Sequence, residues 1–160
     1  MYRCDKLIKT YIMRYLTAIL LFSLIMSCRF QKIEKYKDFA SVVSQLENIH
    51  EMSSPNTYKG VINGVVYSNK SENEIAAILR EIEVTYADFD DLKKKMIENS
   101  IAKFFYFDNK VFLITGGGFG DRNGHLVQLD NSVLESQYRL DNYDVFIGKK
   151  LQEGVYYISN

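Results

Sequence analysis

Phe104-Phe105-Tyr106-Phe107-Asp108-Asn109-Lys110-Val111-Phe112-Leu113-Ile114 is the stretch that decides the fold. Two apolar runs flank Asp108-Asn109, and Asp and Asn are residues that accept the left-handed backbone of a tight turn. The segment therefore reads as a β-hairpin. Both arms are nearly continuous in Phe, Tyr, Val, Leu and Ile, the pattern of strands covered on both faces. This hairpin belongs at the centre of a sheet.

Downstream, Gly116 to Gly124 reads as a long loop and His125 to Leu129 as a third strand. Asp130-Asn131-Ser132 turns the chain, and Val133 to Leu140 is a fourth strand or a short helix. Asp141-Asn142 then precedes a strand over Tyr143 to Ile147, and Gly154 precedes a last one over Val155 to Ile158. Upstream, the texture is helical. Asp38 reads as an N-cap for a helix over residues 39–51, with Phe39, Val42, Val43, Leu46 and Ile49 at helical spacing. Ser53-Ser54-Pro55-Asn56 stops it. Val61 to Tyr67 carries β-branched residues on both sides of Asn63-Gly64, a short hairpin signal. Ser71-Glu72-Asn73-Glu74 fits a capping box, followed by an apolar stripe of Ile75, Ile78, Leu79 and Ile82. Thr85 or Asp88 opens a further helix, with Phe89, Leu92, Met96 and Ile97 inward and Lys93 to Lys95 outward. That lysine run reads as a solvated helix face. A contact with anionic lipid headgroups, worth about 1 kcal/mol per lysine, is the sharper alternative. Helices followed by strands predict an α+β domain: two or three N-terminal helices on one face of a mostly antiparallel sheet of four to six strands.

Ahead of this domain stands Tyr15 to Cys28, YLTAILLFSLIMSC. Arg3, Lys6, Lys9 and Arg14 precede the apolar core, Asp5 is the one acid among them, and the small Ser27 stands directly before Cys28. A basic leader, an apolar core of roughly 7–15 residues and a small residue at the cut mark a secretory signal. A spanning helix needs about 20 apolar residues, more than this run supplies unless Leu7 to Met13 joins it.

The ending Ile25-Met26-Ser27-Cys28 resembles the lipobox of bacterial lipoproteins, with an aliphatic residue three before the cysteine and a small residue directly before it. The resemblance covers the signal alone, about the first sixth of the chain. It implies cleavage before Cys28, lipidation of the Cys28 sulfur and anchoring by two or more acyl chains, where one alone is marginal. Residues 1–27 would then be the signal peptide, 28–37 a short tether and 38–160 a single globular domain. The location implied is the bacterial cell envelope, with the domain facing the periplasm or exterior. Arg29 stands where a retention-type aspartate would, which favours the outer membrane in a cell that has two. An ordinary cleaved signal and an uncleaved anchor are the other readings of the same run.

Charge and cysteine content narrow the partners. The whole chain has 20 basic and 20 acidic residues; residues 1–27 hold four and one of these, so the remainder carries three net negative charges. No like-charge block exceeds Lys93 to Lys95, and nucleic acid is not an expected partner, because such sites cluster Lys and Arg against phosphates. The two cysteines are Cys4 and Cys28. With one removed and the other acylated, no disulfide is left to staple the domain.

One stretch invites a chemical reading. Gly116, Gly117, Gly118 and Gly120 around Phe119 free the backbone to approach a ligand, and Asp121, Arg122 and His125 follow. An enzyme could use His125 as a general base and Arg122 to hold an anion. Turn geometry explains the same glycines, and the loop lacks the lysine and hydroxyl of a P-loop. No metal or cofactor is expected: the histidines, His50 and His125, lie far apart without cysteine neighbours. His50 reads as a dipole partner at the end of the first helix. Tyr138, Tyr143, Tyr156 and Tyr157 gather among Asp141, Asn142 and Asp144, and Tyr suits interface cores.

The expected role is a non-enzymatic, lipid-anchored module that binds another envelope or toxin protein through its C-terminal sheet face. Inhibitors and immunity proteins offer an analogy of size, charge and location. The alternative from another class is an envelope enzyme or small-ligand binder using the loop from Gly116 to His125. A purely structural lipoprotein is a third.

Overall fold

A computed structural model describes residues 2–54, 59–115, 123–141 and 143–159, with side chains described from residue 13 onward except at residues 28, 29 and 143. The chain divides into two units, residues 1–34 and 35–160. One helix, α1 (Tyr2–Gln45), contributes to both.

Over residues 15–26 of the first unit the helix is apolar on every side. Met13, Leu16, Ile19, Leu20, Leu21, Phe22, Leu24 and Ile25 are all exposed, Met13 by 72% and Phe22 by 65%. A helix apolar all round is at rest in a core or in lipid. Met13–Gln45 is long and apolar enough to cross a membrane, its best window having a mean hydropathy of 1.5; a signal sequence passes the same test. The helix does not stop where the apolar run stops. Residues 28–37, expected as a short tether, are helical throughout.

Asp38 is consequently no N-cap. The helix arrives already formed, so no orphan N–H groups wait at residue 39. In the second unit Tyr36, Phe39, Ala40 and Val43 are buried at the spacing of one helix face. The helix then ends at Gln45, short of the expected residue 51. Leu46 N–H donates to Val43 O and Ile49 N–H to Leu46 O, closing three-residue turns instead. Residues 51–53 go to the sheet as β1 (Glu51–Ser53), where Met52 is opposite Phe104 and fully buried. Tertiary pairing overrides the helical spacing of Ile49.

The next elements follow the local signals closely. β2 (Val61–Ile62) and β3 (Val65–Val66) form the hairpin expected about Asn63-Gly64, with φ of 45° and 81° in a tight turn. Asn63 does more than turn. Its Oδ1 accepts from the His50 and Glu51 N–H groups, and its Nδ2 donates to Asn48 O. The capping box is present at α2 (Glu72–Glu81): Ser71 N–H donates to the Glu74 carboxylate at 2.8 Å. Thr85 caps α3 (Tyr86–Glu98), accepting from Asp88 N–H at 3.1 Å. Phe89, Leu92 and Met96 are buried as expected, but Ile97 is exposed, because it lies one residue beyond the inward stripe. Lys93 pairs with Asp90 and Lys95 with Asp91, so two of the three lysines are neutralised on their own helix.

The remaining strands are β4 (Lys103–Phe107), β5 (Lys110–Ile114), β6 (Gly124–Gln128), β7 (Gln137–Leu140), β8 (Tyr143–Gln152) and β9 (Val155–Ser159). Residues 131–136 form neither strand nor helix, so the undecided segment 133–140 resolves into a loop and then β7. Among the described residues all pairings are antiparallel, in the order β3-β2-β1-β4-β5-β6-β9-β8-β7, which makes a sheet of nine strands. The fold is α+β, its sheet larger than four to six strands. The helices do not all precede it, since β1 to β3 intervene between α1 and α2. β5 stands in the middle and is buried along its whole length, as its unbroken apolar run requires.

One face of the sheet takes the end of α1. Phe39 meets Phe104 edge-on at 5.6 Å, and Tyr36 lies 4.6 Å from His125. The other face closes on itself. Phe105, Phe112, Leu126, Leu140, Val145 and Ile158 form one cluster. In that cluster Tyr138 of β7 touches Phe112 of β5 at 5.1 Å, although β6, β9 and β8 stand between them in the sheet. The sheet is therefore curled. Register shifts in β8 between Ile147 and Gln152 mark where the strand bends, as bulges do.

Candidate functional site

The strand period of two sorts the residues of β7, β8 and β9. Tyr138, Leu140, Val145, Ile147, Tyr156 and Ile158 point into the curl. Gln137, Arg139, Asp144, Phe146 and Tyr157 therefore stand on the outer face. In the strand register Gln137 stands opposite Phe146, Phe146 opposite Ser159, and Arg139 opposite Asp144. Phe146 remains 48% exposed and Tyr157 36%. Tyr157 is fixed from beneath: a Cβ on Gly148 would stand 3.3 Å from its ring, so the glycine leaves the ring room to lie over the strand. His125 meets the same ring edge-on at 6.4 Å. Two aromatic rings held on rigid strands, rimmed by an amide, a cation and a carboxylate, make a surface suited to protein contact.

The four tyrosines picked from the sequence separate. Tyr138 is buried, its hydroxyl accepting from Glu135 N–H at 3.0 Å. Tyr156 is half-buried, with the Lys150 ammonium 5.9 Å from its ring centre. Tyr143 has a side chain outside the described residues. Tyr157 reaches the outer face. Phe146, Arg139 and Gln137 belong to that face and were not singled out from the sequence. The alternation of Gln137-Tyr138-Arg139-Leu140 carries the signal that would have found them.

Gly116, Gly117, Gly118, Gly120, Asp121 and Arg122 lie outside the described residues. His125 sits in β6 between Leu113 and Tyr157, half-buried against the Tyr36 ring. This is the geometry of a ring packed between a helix and a sheet. Cys28 is within α1, its side chain outside those described. His50 does not end a helix, because α1 stops at Gln45; it is exposed and donates its backbone N–H to Asn63. Among the described residues no cluster of three His, Cys, Asp or Glu could hold a metal ion.

A groove of about 310 Å³ runs where β7 curls toward β4 and the start of β1, lined by His50, Glu51, Tyr106, Phe107, Arg139 and Asp141 among others. Lys103 is bonded to Glu51 and lies 3.7 Å from Asp141, both lining residues, with its ammonium 4.4 Å from the Phe105 ring centre. At the turn end of the β4–β5 hairpin, Lys110 is 1% exposed and bonded to the backbone and carboxylate oxygens of Asp108. Burial alone would lower its pKa; the Asp108 hydrogen bond and the charges of Asp108, Tyr138 and Asp130 outweigh it and raise it. No protein-family model, curated protein or solved structure matches this chain.

Proposed function

We propose that this chain is a lipid-anchored protein of a bacterial cell envelope whose folded unit binds another protein through the outer face of β7–β9, in the manner of an inhibitor or immunity protein. The observation that carries the anchoring half is the helix over residues 13–26, whose large apolar side chains are exposed all round. Such a surface is stable in water only if removed or embedded in lipid. Ile25-Met26-Ser27-Cys28 supplies the cleavage and acylation signal at its end. Phe146 and Tyr157 support the binding half, as preorganised aromatic anchors with a polar rim.

The test is intact mass and membrane fractionation of the wild type beside Cys28→Ala, followed by capture from envelope extract. The expected wild type lacks residues 1–27, carries added acyl mass and pellets with membranes; the variant does none of these. Captured protein should fall at least about tenfold with Phe146→Ser, a typical hot-spot loss. Identical mass and fractionation of both forms would refute the anchor, and retention unchanged by Phe146→Ser would refute the face.

A further inference from the structure

β7 is an edge strand, bonded to β8 and, among the described residues, to nothing on its other side. Ile147 N–H donates to Ser136 O at 2.9 Å. Bonded pairs alternate along an antiparallel ladder, so with the register of β7 and β8 they fall at 136/147, 138/145 and 140/143. Gln137 and Arg139 must then turn both N–H and C=O away from the sheet. The curl brings part of this bare edge to the groove, where Arg139 and Asp141 face His50–Glu51 and Tyr106–Phe107. Lys103 engages both acids of the groove, Glu51 and Asp141. Arg139 has no ion pair among the described residues.

We propose that β7 takes an extended segment of another polypeptide as a further strand, laid in this groove. A row of unpaired N–H and C=O groups is the chemistry that strand addition satisfies. His50–Glu51 and Tyr106–Phe107 stand across the groove from β7 and its volume is about 310 Å³, a scale that suits one extended chain, so the proposed occupant is a tail or loop, not a second copy of this domain. Its side chains would alternate, apolar toward Leu140 and Phe107, polar outward, with a carboxylate beside the unengaged Arg139. This proposal rests on the protein-binding reading above and adds to the outer face a second contact, the edge of β7, made by a tail or loop of the partner.

The test pans the full-length protein, held in detergent micelles, against a displayed library of random linear dodecapeptides. Retained peptides are titrated against wild type, Gln137→Pro, Arg139→Pro, Arg139→Glu and Phe146→Ser. Each proline deletes an N–H that the β7–β8 ladder does not use, a placement edge strands tolerate. The expected result is a loss of about tenfold or more for either proline, an equal loss of acidic peptides for Arg139→Glu, and a change under about threefold for Phe146→Ser. The amides of Gln137 and Arg139 should also gain exchange protection on binding. Should a proline variant lose its cooperative melt, Arg139→Glu and the amide protection decide. Peptides indifferent to these variants, or no retained peptide, overturn the proposal. Loss confined to Phe146→Ser overturns it too, while leaving the outer-face reading intact. A dimer abolished by Arg139→Pro would give the edge to a second copy, and equally overturn it.

Discussion

Gly124 shows how a single position can be set by space alone. A Cβ there would press into Leu113 O, inside any permitted contact, and the obstruction is backbone that cannot swing away. Gly124→Ala is expected to destabilise the folded unit by about 3 kcal/mol, the upper part of the usual overpacking range. Chemical denaturation of both forms measures it, and a change below about 0.5 kcal/mol would contradict this packing. The sequence places Gly124 at the end of a long loop. The reason Gly124 is glycine is instead its approach to the neighbouring strand, which no spacing rule displays. Asn63 is the converse case. Its left-handed turn was legible from Asn-Gly, whereas its side-chain bonds to residues 13 and 15 positions away required the fold.

At the scale of the element, α1 carries two separate demands in one helix. Its stretch over residues 15–26 is apolar all round, and its last turns present Tyr36, Phe39, Ala40 and Val43 to the sheet. Each large apolar side chain so buried contributes about 1.5–3 kcal/mol, against a typical total of roughly 5–15 kcal/mol. Residues 35–160 produced alone should therefore melt cooperatively, while residues 46–160 should not. Near-ultraviolet circular dichroism during heating distinguishes the two. A cooperative melt of the shorter piece would show that α1 is dispensable to the core. The central hairpin was readable because both of its arms are unbroken apolar runs, a pattern with one structural solution. β1 was not, because Glu51-Met52-Ser53 is too short to show a period, and its identity comes from the partner strand.

For the folded unit as a whole, pH dependence follows from a few carboxylates and one phenol. Hydrogen bonds from the Ser132 hydroxyl and then its backbone N–H, with Asn109 and the charge of Lys110 adding to them, pull Asp130 from 3.8 down to about 2. A carboxylate lowered by folding contributes stability above its unfolded value, and that stability drains as pH falls from about 4 to about 2. Burial pushes Tyr67 from 10.0 up to about 12, with its hydroxyl donating to Ser53 O at 2.9 Å. A phenol raised by folding contributes below pH 10 and loses that contribution as pH rises to about 12. Stability should thus form a plateau between these limbs. Asp130→Asn should flatten the acid limb in melts recorded from pH 5 to 2, and an unchanged limb would count against the Ser132 contacts.

Local chemistry sufficed for what depends on neighbours in sequence: the α+β class, the two Asn- or Asp-based hairpin turns, the caps at Ser71 and Thr85, and the apolar run ending at Cys28. These are short-range hydrogen bonds and periodicities, written into consecutive residues. Tertiary structure alone decided the rest. β9 inserts between β6 and β8, the sheet curls until Tyr138 meets Phe112, and Phe146 and Tyr157 come to share one outer face. Those outcomes depend on which distant strands bury each other best, and a free energy shared among residues far apart in the chain leaves no pattern in any one segment of it.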